Sequence, residues 1–199
     1  MPKKRQATEN RKTRETDISV SINLDGAGKA DIKTGIPFLD HMLTLLARHG
    51  FMDLKIKAKG DIEVDHHHTV EDVGISLGNA FGKALGDKAG IFRYGHFQVP
   101  MDEALAEATI DLSDRPYLAY DVEFSRQKMK TGDFEVELVE EFMRAFATSA
   151  RVNLHLKLHK GKNAHHIAEA LFKALARAVA QAVQVDPRVS GVPSTKGKL

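Results

Sequence analysis

Cysteine is absent from all 199 residues. That excludes disulfides and thiolate metal sites, so any metal must be held by imidazole and carboxylate groups. Long apolar runs are missing too. No stretch approaches the roughly 20 residues needed to cross a bilayer, and the N-terminus lacks the apolar segment of a secretory signal. No membrane partner is expected, and a cytoplasmic location is the default. Neither sign of charge dominates, the net charge being +2. It is unevenly placed: residues 1–14 hold Lys3, Lys4, Arg5, Arg11, Lys12 and Arg14 against Glu9, a local +5 that leaves −3 for the rest. No aromatic residue interleaves this basic segment, as a single-strand binder would need. By composition it reads as a solvated tail with no nucleic-acid partner.

What the chain does have is histidine in a repeated pattern. The tracts Asp65-His66-His67-His68-Thr69-Val70-Glu71-Asp72 and Asn163-Ala164-His165-His166-Ile167-Ala168-Glu169-Ala170 both contain His-His-x-x-Glu. Each runs into an apolar pattern of helical period: Val70, Val73, Leu77, Phe81 and Ala84 after the first, Ala168, Leu171, Leu175, Val179 and Ala182 after the second. On a helix, residues i and i+4 share a face, so His67 with Glu71, and His165 with Glu169, can each grip one ion. His68 and His166 diverge from those pairs by about 100° and must reach a second ion. The simplest closed arrangement sets the two helices face to face. His68 then completes the site of His165 and Glu169, and His166 that of His67 and Glu71.

The repeat extends upstream. Alternating stretches precede each tract, at 54–60 and 154–161, and helical stretches precede those, at 38–48 and 136–150. Earlier still come the strand-like segments 18–24, 108–112 and 118–124. Each half reads strand, strand, helix, strand, helix. The expected fold is α+β, two tandem pseudo-symmetric βαβ-type repeats, 1–92 and 93–199, with sheets packed against helices. His41 and Glu141 hold matching places on the two upstream helices. Taken singly they read as a surface histidine and a solvated carboxylate; the repeat makes each a fourth-ligand candidate. His49 could face the site from the far end of its helix, whereas His96, His155 and His159 read as structural.

A sulfur-free donor set suits Mn, Fe, Co, Ni or Zn, and Mn²⁺ is the choice for a six-coordinate site open to substrate. A metalloprotease fits poorly: His-Glu-x-x-His is absent, and the inverted motif would need histidine at Asp72. The remaining polar signals point to a phosphate. Lys173 lies one turn beyond Glu169, and the segment Val192-Pro193-Ser194-Thr195-Lys196-Gly197-Lys198 offers hydroxyls, ammonium and backbone N–H groups. Arg93 and Arg115 stand in apolar or turn surroundings; ion pairing is the plainer role for each.

At this point the sequence resembles the imidazoleglycerol-phosphate dehydratase family of histidine biosynthesis. The resemblance rests on Arg11-Lys12-Thr13-Arg14-Glu15-Thr16, Leu24-Asp25-Gly26, Phe38-Leu39-Asp40-His41-Met42, both histidine tracts, Pro100-Met101-Asp102-Glu103-Ala104-Leu105, Asp114-Arg115-Pro116-Tyr117 and Ser194-Thr195-Lys196-Gly197. It implies a lyase that dehydrates imidazole glycerol phosphate to imidazole acetol phosphate with two Mn²⁺ ions per site. It also implies a fold like the second domain of ribosomal protein S5 and a homo-oligomer of twenty-four subunits with active sites between neighbours. By the same resemblance His41, His68, His165 and Glu169 share one metal, and His67, Glu71, His166 and Glu141 the other. Plant and fungal members carry histidine where this chain has Glu141, and a carboxylate can also bind Mn²⁺. Arg93, Arg115, Lys173, Ser194, Thr195 and Lys196 would hold the phosphate with His49 nearby. Glu15 would approach the glycerol carbons, which places residues 11–16 against the site rather than in a free tail.

The chemical difficulty is a hydrogen on carbon beside an imidazole, with no carbonyl to acidify it. Metals on both ring nitrogens would favour an imidazolate, from which hydroxide departs to leave a diazafulvene-like intermediate. Glu15 is the candidate proton carrier on the glycerol chain, with a metal-bound water or Glu169 as competitor and Glu71 a further catalytic candidate. Two rival classes use the same residues: a metal-dependent phosphate-ester hydrolase and a non-catalytic, metal-stabilised assembly.

Overall fold

A computed structural model describes residues 4–125 and 129–199. Lys3 of the basic segment lies outside the described residues. In the first half, strands β1 (Gln6–Lys12), β2 (Thr16–Asn23), β3 (Ala30–Lys33) and β4 (Asp53–Gly60) form one sheet in the order β1-β2-β4-β3. Helices α1 (Pro37–Gly50) and α2 (His67–Leu85) belong to the same half. In the second, β5 (Tyr94–Met101), β6 (Ala104–Asp111), β7 (Tyr117–Asp121) and β10 (Asn153–Lys160) form a sheet in the order β5-β6-β10-β7. Its helices are α3 (Leu138–Ala150) and α4 (Ala164–Ala182), and a small hairpin of β8 (Lys130–Thr131) and β9 (Phe134–Glu135) precedes α3.

The two sheets pair alike. In each, the first two strands and the strand before the last helix are antiparallel neighbours, and the third strand joins that strand in parallel. Strict alternation sets their faces: every second residue of β2 and β6 is buried, from Ile18, Val20 and Ile22 to Ala106, Ala108 and Ile110. Those faces rest on helices, α2 on β2 and α4 on β5 and β6. The helices in turn join the halves, because α2 packs on α3 and α1 on α4. The α+β class with sheets packed against helices is therefore the observed one. No helix among the described residues is long and apolar enough to cross a membrane.

Three strands of the main sheet precede the first helix of each half, where the sequence pattern indicates two at most. β1 has the composition Gln-Ala-Thr-Glu-Asn-Arg-Lys, nearly all polar, so it carries no apolar alternation. It is nonetheless a full edge strand, registered on β2 from Gln6↔Asn23 to Lys12↔Asp17. The reading of the basic segment as a solvated tail is thereby corrected for these residues: ladder hydrogen bonds replace the missing apolar contacts.

The α2–α3 contact depends on glycine. A Cβ at Gly74 would stand 2.8 Å from Ala145 Cβ and 2.9 Å from the Phe142 carbonyl, and one at Gly78 would stand 2.7 Å from Ser149 Cβ and 2.8 Å from the Phe146 carbonyl. The backbones meet at a distance only glycine allows. Replacing a mid-helix glycine with alanine ordinarily gains up to about 1 kcal/mol, whereas overpacking a tight contact costs about 1–3 kcal/mol. Gly78→Ala should therefore lower the melting temperature of the metal-free protein; a raised one would show that the helices separate freely.

Candidate metal centre

Both histidine tracts open a helix, and the same local device starts each. The Asp65 carboxylate accepts from the His67 backbone N–H at 2.8 Å, and the Asn163 side chain accepts from the His165 N–H at 2.9 Å. Each contact satisfies one donor of a first turn that lacks intrahelical partners, with Asn163 the N-cap of α4 and Asp65 one residue before that of α2. The adjacent histidines therefore emerge at the helix mouth and do not pack into its buried side.

On the second tract, three donors converge. His165 Nε2 lies 3.3 Å and His41 Nε2 3.9 Å from Glu169 Oε2, and the three ligand atoms all lie within 4.8 Å of one another. Ligands about 2.1 Å from one ion and at right angles are about 3 Å apart, so the trio needs little adjustment to share a divalent ion. Glu169 is buried, yet its carboxyl is held below the ordinary carboxylate range. Burial pushes it up, and the Lys173 ammonium, 2.6 Å from Oε1, more than offsets that. One oxygen is thus committed to Lys173 and the other turned toward the histidines. Phe38, edge-on to His165 with ring centroids at 5.3 Å, and Phe134 of the β8–β9 hairpin, 5.1 Å from Phe38, wall the trio on one side.

The other predicted ligands are placed elsewhere in the chain. His68 lies beside Asp61, with Nδ1 to Oδ2 at 3.0 Å, and 3.9 Å from Glu15 Oε2. His166 turns away from the trio to Glu103, Nδ1 to Oε2 at 2.7 Å. His67 and Glu71 are half-buried on α2, and Glu141 is half-buried in the first turn of α3. Among the described residues, only His41, His165 and Glu169 bring three donors together. The face-to-face pairing of the two tract helices is not the arrangement within one chain, because α2 has α3 as its packing partner and α4 has α1. His49, half-buried near the end of α1, has its pKa held below the usual histidine value by burial and then by the Lys173 and Arg177 charges.

The phosphate candidates gather in a second place. A cavity of about 740 Å³ is lined by Arg93, Tyr94, Arg115, Ser194, Thr195 and Lys196 among others. Arg93 donates to both Asp111 oxygens, at 2.7 and 3.1 Å, and to the Pro193 carbonyl at 2.8 Å, which pins the C-terminal segment over the cavity. Arg115 is exposed, 3.8 Å from the same Asp111. Lys173 is not in this group; its place is at Glu169. Residues 11–16 are ordered through buried Asp72, which accepts from Arg11 at 2.8 Å and from the Thr16 hydroxyl at 2.5 Å. Asp61, Glu103 and Asp111 were not singled out by sequence reasoning. Each makes its contact from a residue distant in sequence, or from a turn without a helical or strand pattern.

Comparison with known proteins agrees over nearly the whole chain. The family model for imidazoleglycerol-phosphate dehydratase matches residues 34–179. The imidazoleglycerol-phosphate dehydratase of Citrifermentans bemidjiense is 60% identical over 98% of this chain and 99% of its own length. The chain belongs to the imidazoleglycerol-phosphate dehydratase family. The corresponding protein of Bacillus licheniformis is 57% identical, over 98% of this chain and all of its own. Among solved structures, the Staphylococcus aureus imidazoleglycerol-phosphate dehydratase superposes with a TM-score of 0.82 at 40% identity, over 90% of this chain and 99% of that one. That of Pyrococcus furiosus gives 0.82 at 39%, over 96% and 99%. The family's enzymes are hydro-lyases of histidine biosynthesis.

The histidine environments have a consequence for pH. The hydrogen bond to Asp61 raises the His68 pKa, and the hydrogen bond to Glu103 raises that of His166, each against the opposing effect of burial. A raised histidine pKa adds stability that is fully present below the unfolded value of 6.5 and is lost as pH rises through the folded value. A divalent ion bound at these rings would compete with the same protons. Uptake of such an ion near pH 6.5 should therefore release protons, and titration calorimetry in buffers of different ionisation enthalpy should give different heats. Equal heats would contradict this reading.

Proposed function

We propose that the chain dehydrates imidazole glycerol phosphate to imidazole acetol phosphate, with two Mn²⁺ ions per site, in a cytoplasmic homo-oligomer of twenty-four subunits. The observation that carries the reading is the convergence of His41, His165 and Glu169 in a chain of this family. In the proposed ligand sets, His68 completes that trio at one ion, and His67, Glu71, His166 and Glu141 hold the other. Ions held there would act as Lewis acids on the substrate imidazole and would ease departure of hydroxide from the carbon beside the ring.

The chain's own groups divide the remaining work. Glu169 has one oxygen on Lys173 and the other toward His165 and His41, which gives it the role of ligand. Glu15, exposed on the β1–β2 turn and 3.9 Å from His68, is the carboxylate free to move a proton on the glycerol chain. Arg93, Arg115, Ser194, Thr195 and Lys196 bind the phosphate, with Arg93 and the Ser194 segment already tied together through Pro193.

Distance argues that each site is shared. The Arg93 backbone N–H donates to Ala182 at the last residue of α4. Glu169 is thirteen residues earlier on that helix, and at 1.5 Å per residue the two ends stand about 20 Å apart. An imidazolyl glycerol phosphate spans on the order of 10 Å, judged from covalent bond lengths. One chain cannot place its metal trio on the ring and its own phosphate cavity on the other end, so the cavity must come from a neighbour.

Co-expression tests both the activity and the sharing. His165→Ala removes a metal ligand, and an Arg115→Ala, Lys196→Ala double variant empties the phosphate cavity. Each alone should form almost no imidazole acetol phosphate. Mixed oligomers should recover about a quarter of wild-type turnover, because random assembly rebuilds that share of sites from intact halves. No recovery would place each site within one chain.

A further inference from the structure

The two hairpins β1–β2 and β5–β6 hold glutamates at equivalent places. Ile22 pairs with Leu54 and Ile110 with Leu154, and counting back seven residues from each isoleucine gives Glu15 and Glu103. Each approaches the second histidine of a His-His-x-x-Glu motif, His68 or His166, yet the two are used differently. Glu103 Oε1 accepts from the backbone N–H groups of Lys162 at 3.1 Å and Asn163 at 2.8 Å, at the mouth of α4. Its Oε2 lies 2.7 Å from His166 Nδ1. Glu15, in contrast, stays beyond hydrogen-bond reach of His68, whose Nδ1 is taken by Asp61 at 3.0 Å.

An ionised carboxylate only accepts, so the partner Nδ1 must carry the proton and Nε2 is left with the lone pair. Metal-binding histidines are commonly fixed in this way by a carboxylate on the opposite ring nitrogen. Around His166 the exposed Asp102 carboxylate lies 3.7 Å from Nε2, too far for a hydrogen bond, and Glu169 adds a more distant negative charge.

We infer that Glu103 and Asp61 are positioning residues, which lock His166 and His68 as Nδ1–H tautomers and aim Nε2 at the metals. The inference rests on the two-metal reading above and adds a division of labour to it. In the second half the hairpin glutamate orients the histidine itself. In the first half Asp61 takes over that task, which leaves Glu15 unencumbered at the corresponding place.

Manganese titration of chelator-treated, full-length protein decides the matter. Glu103→Gln keeps an oxygen for the two backbone donors but offers His166 an amide N–H, which favours the wrong tautomer; Glu103→Ala loses both interactions. Both variants should weaken one class of manganese site about 10- to 100-fold and leave the other as in wild type. Asp61→Asn should weaken the class that Glu103→Gln spares. Melting of the metal-free variants checks that the turn still folds, and Glu103→Asp should recover part of the affinity. If Glu103→Gln binds both ions as wild type does while Glu103→Ala does not, the carboxylate merely anchors the turn and the inference fails. Wild-type protein that takes up no manganese would overturn the underlying reading and the inference with it. Two tight ions in the wild type beside an unaffected Glu103→Gln overturn the inference alone.

Discussion

The buried carboxylate of Glu169 is the constraint around which the centre is arranged. A charge removed from water must be paired, and Lys173 on the next turn of α4 pairs one of its oxygens at 2.6 Å. The second oxygen faces His165 from its own helix and His41 from α1. The contact between α1 and α4 is therefore more than apolar packing: it brings a donor from each half of the chain to one point. Had the carboxylate been exposed, water would have satisfied it and the geometry would be loose.

The same helix fixes what one chain cannot do. Its N-terminal end carries His165 and Glu169 of the candidate trio, and its C-terminal end holds Arg93 beside the cavity of Ser194 and Lys196. A rigid helix cannot fold these ends onto one small molecule. The proposal of sites shared between copies rests on that helix length, and it fits a chain in which His68 and His166 lie beside Asp61 and Glu103 rather than beside the trio.

Much of this was legible in the sequence because it depends on local period. The i, i+4 spacing of His165 and Glu169, the apolar stripe behind them and the alternation in β2, β4, β6 and β10 each report a backbone conformation within a few residues. His41 was legible through the repeat, by matching Glu141. Residues whose role comes from distant pairing were harder to read. β1 is polar along its length and is made a strand only by its neighbour. Asp61 and Glu103 act across a turn, and the hairpin carrying Phe134 has strands too short to show a pattern. The equivalence of Glu15 and Glu103 was present in the repeat all along, but it becomes visible only once the register of the sheets is known.

Where the metal binds is the deciding observation. Anomalous diffraction at the manganese edge, from crystals of the manganese-loaded protein, would locate it directly. The expected result is an ion bonded at once to His41 Nε2, His165 Nε2 and Glu169 Oε2, with His68 of a neighbouring copy completing the set. Ordered manganese elsewhere, with that trio bare, would contradict it.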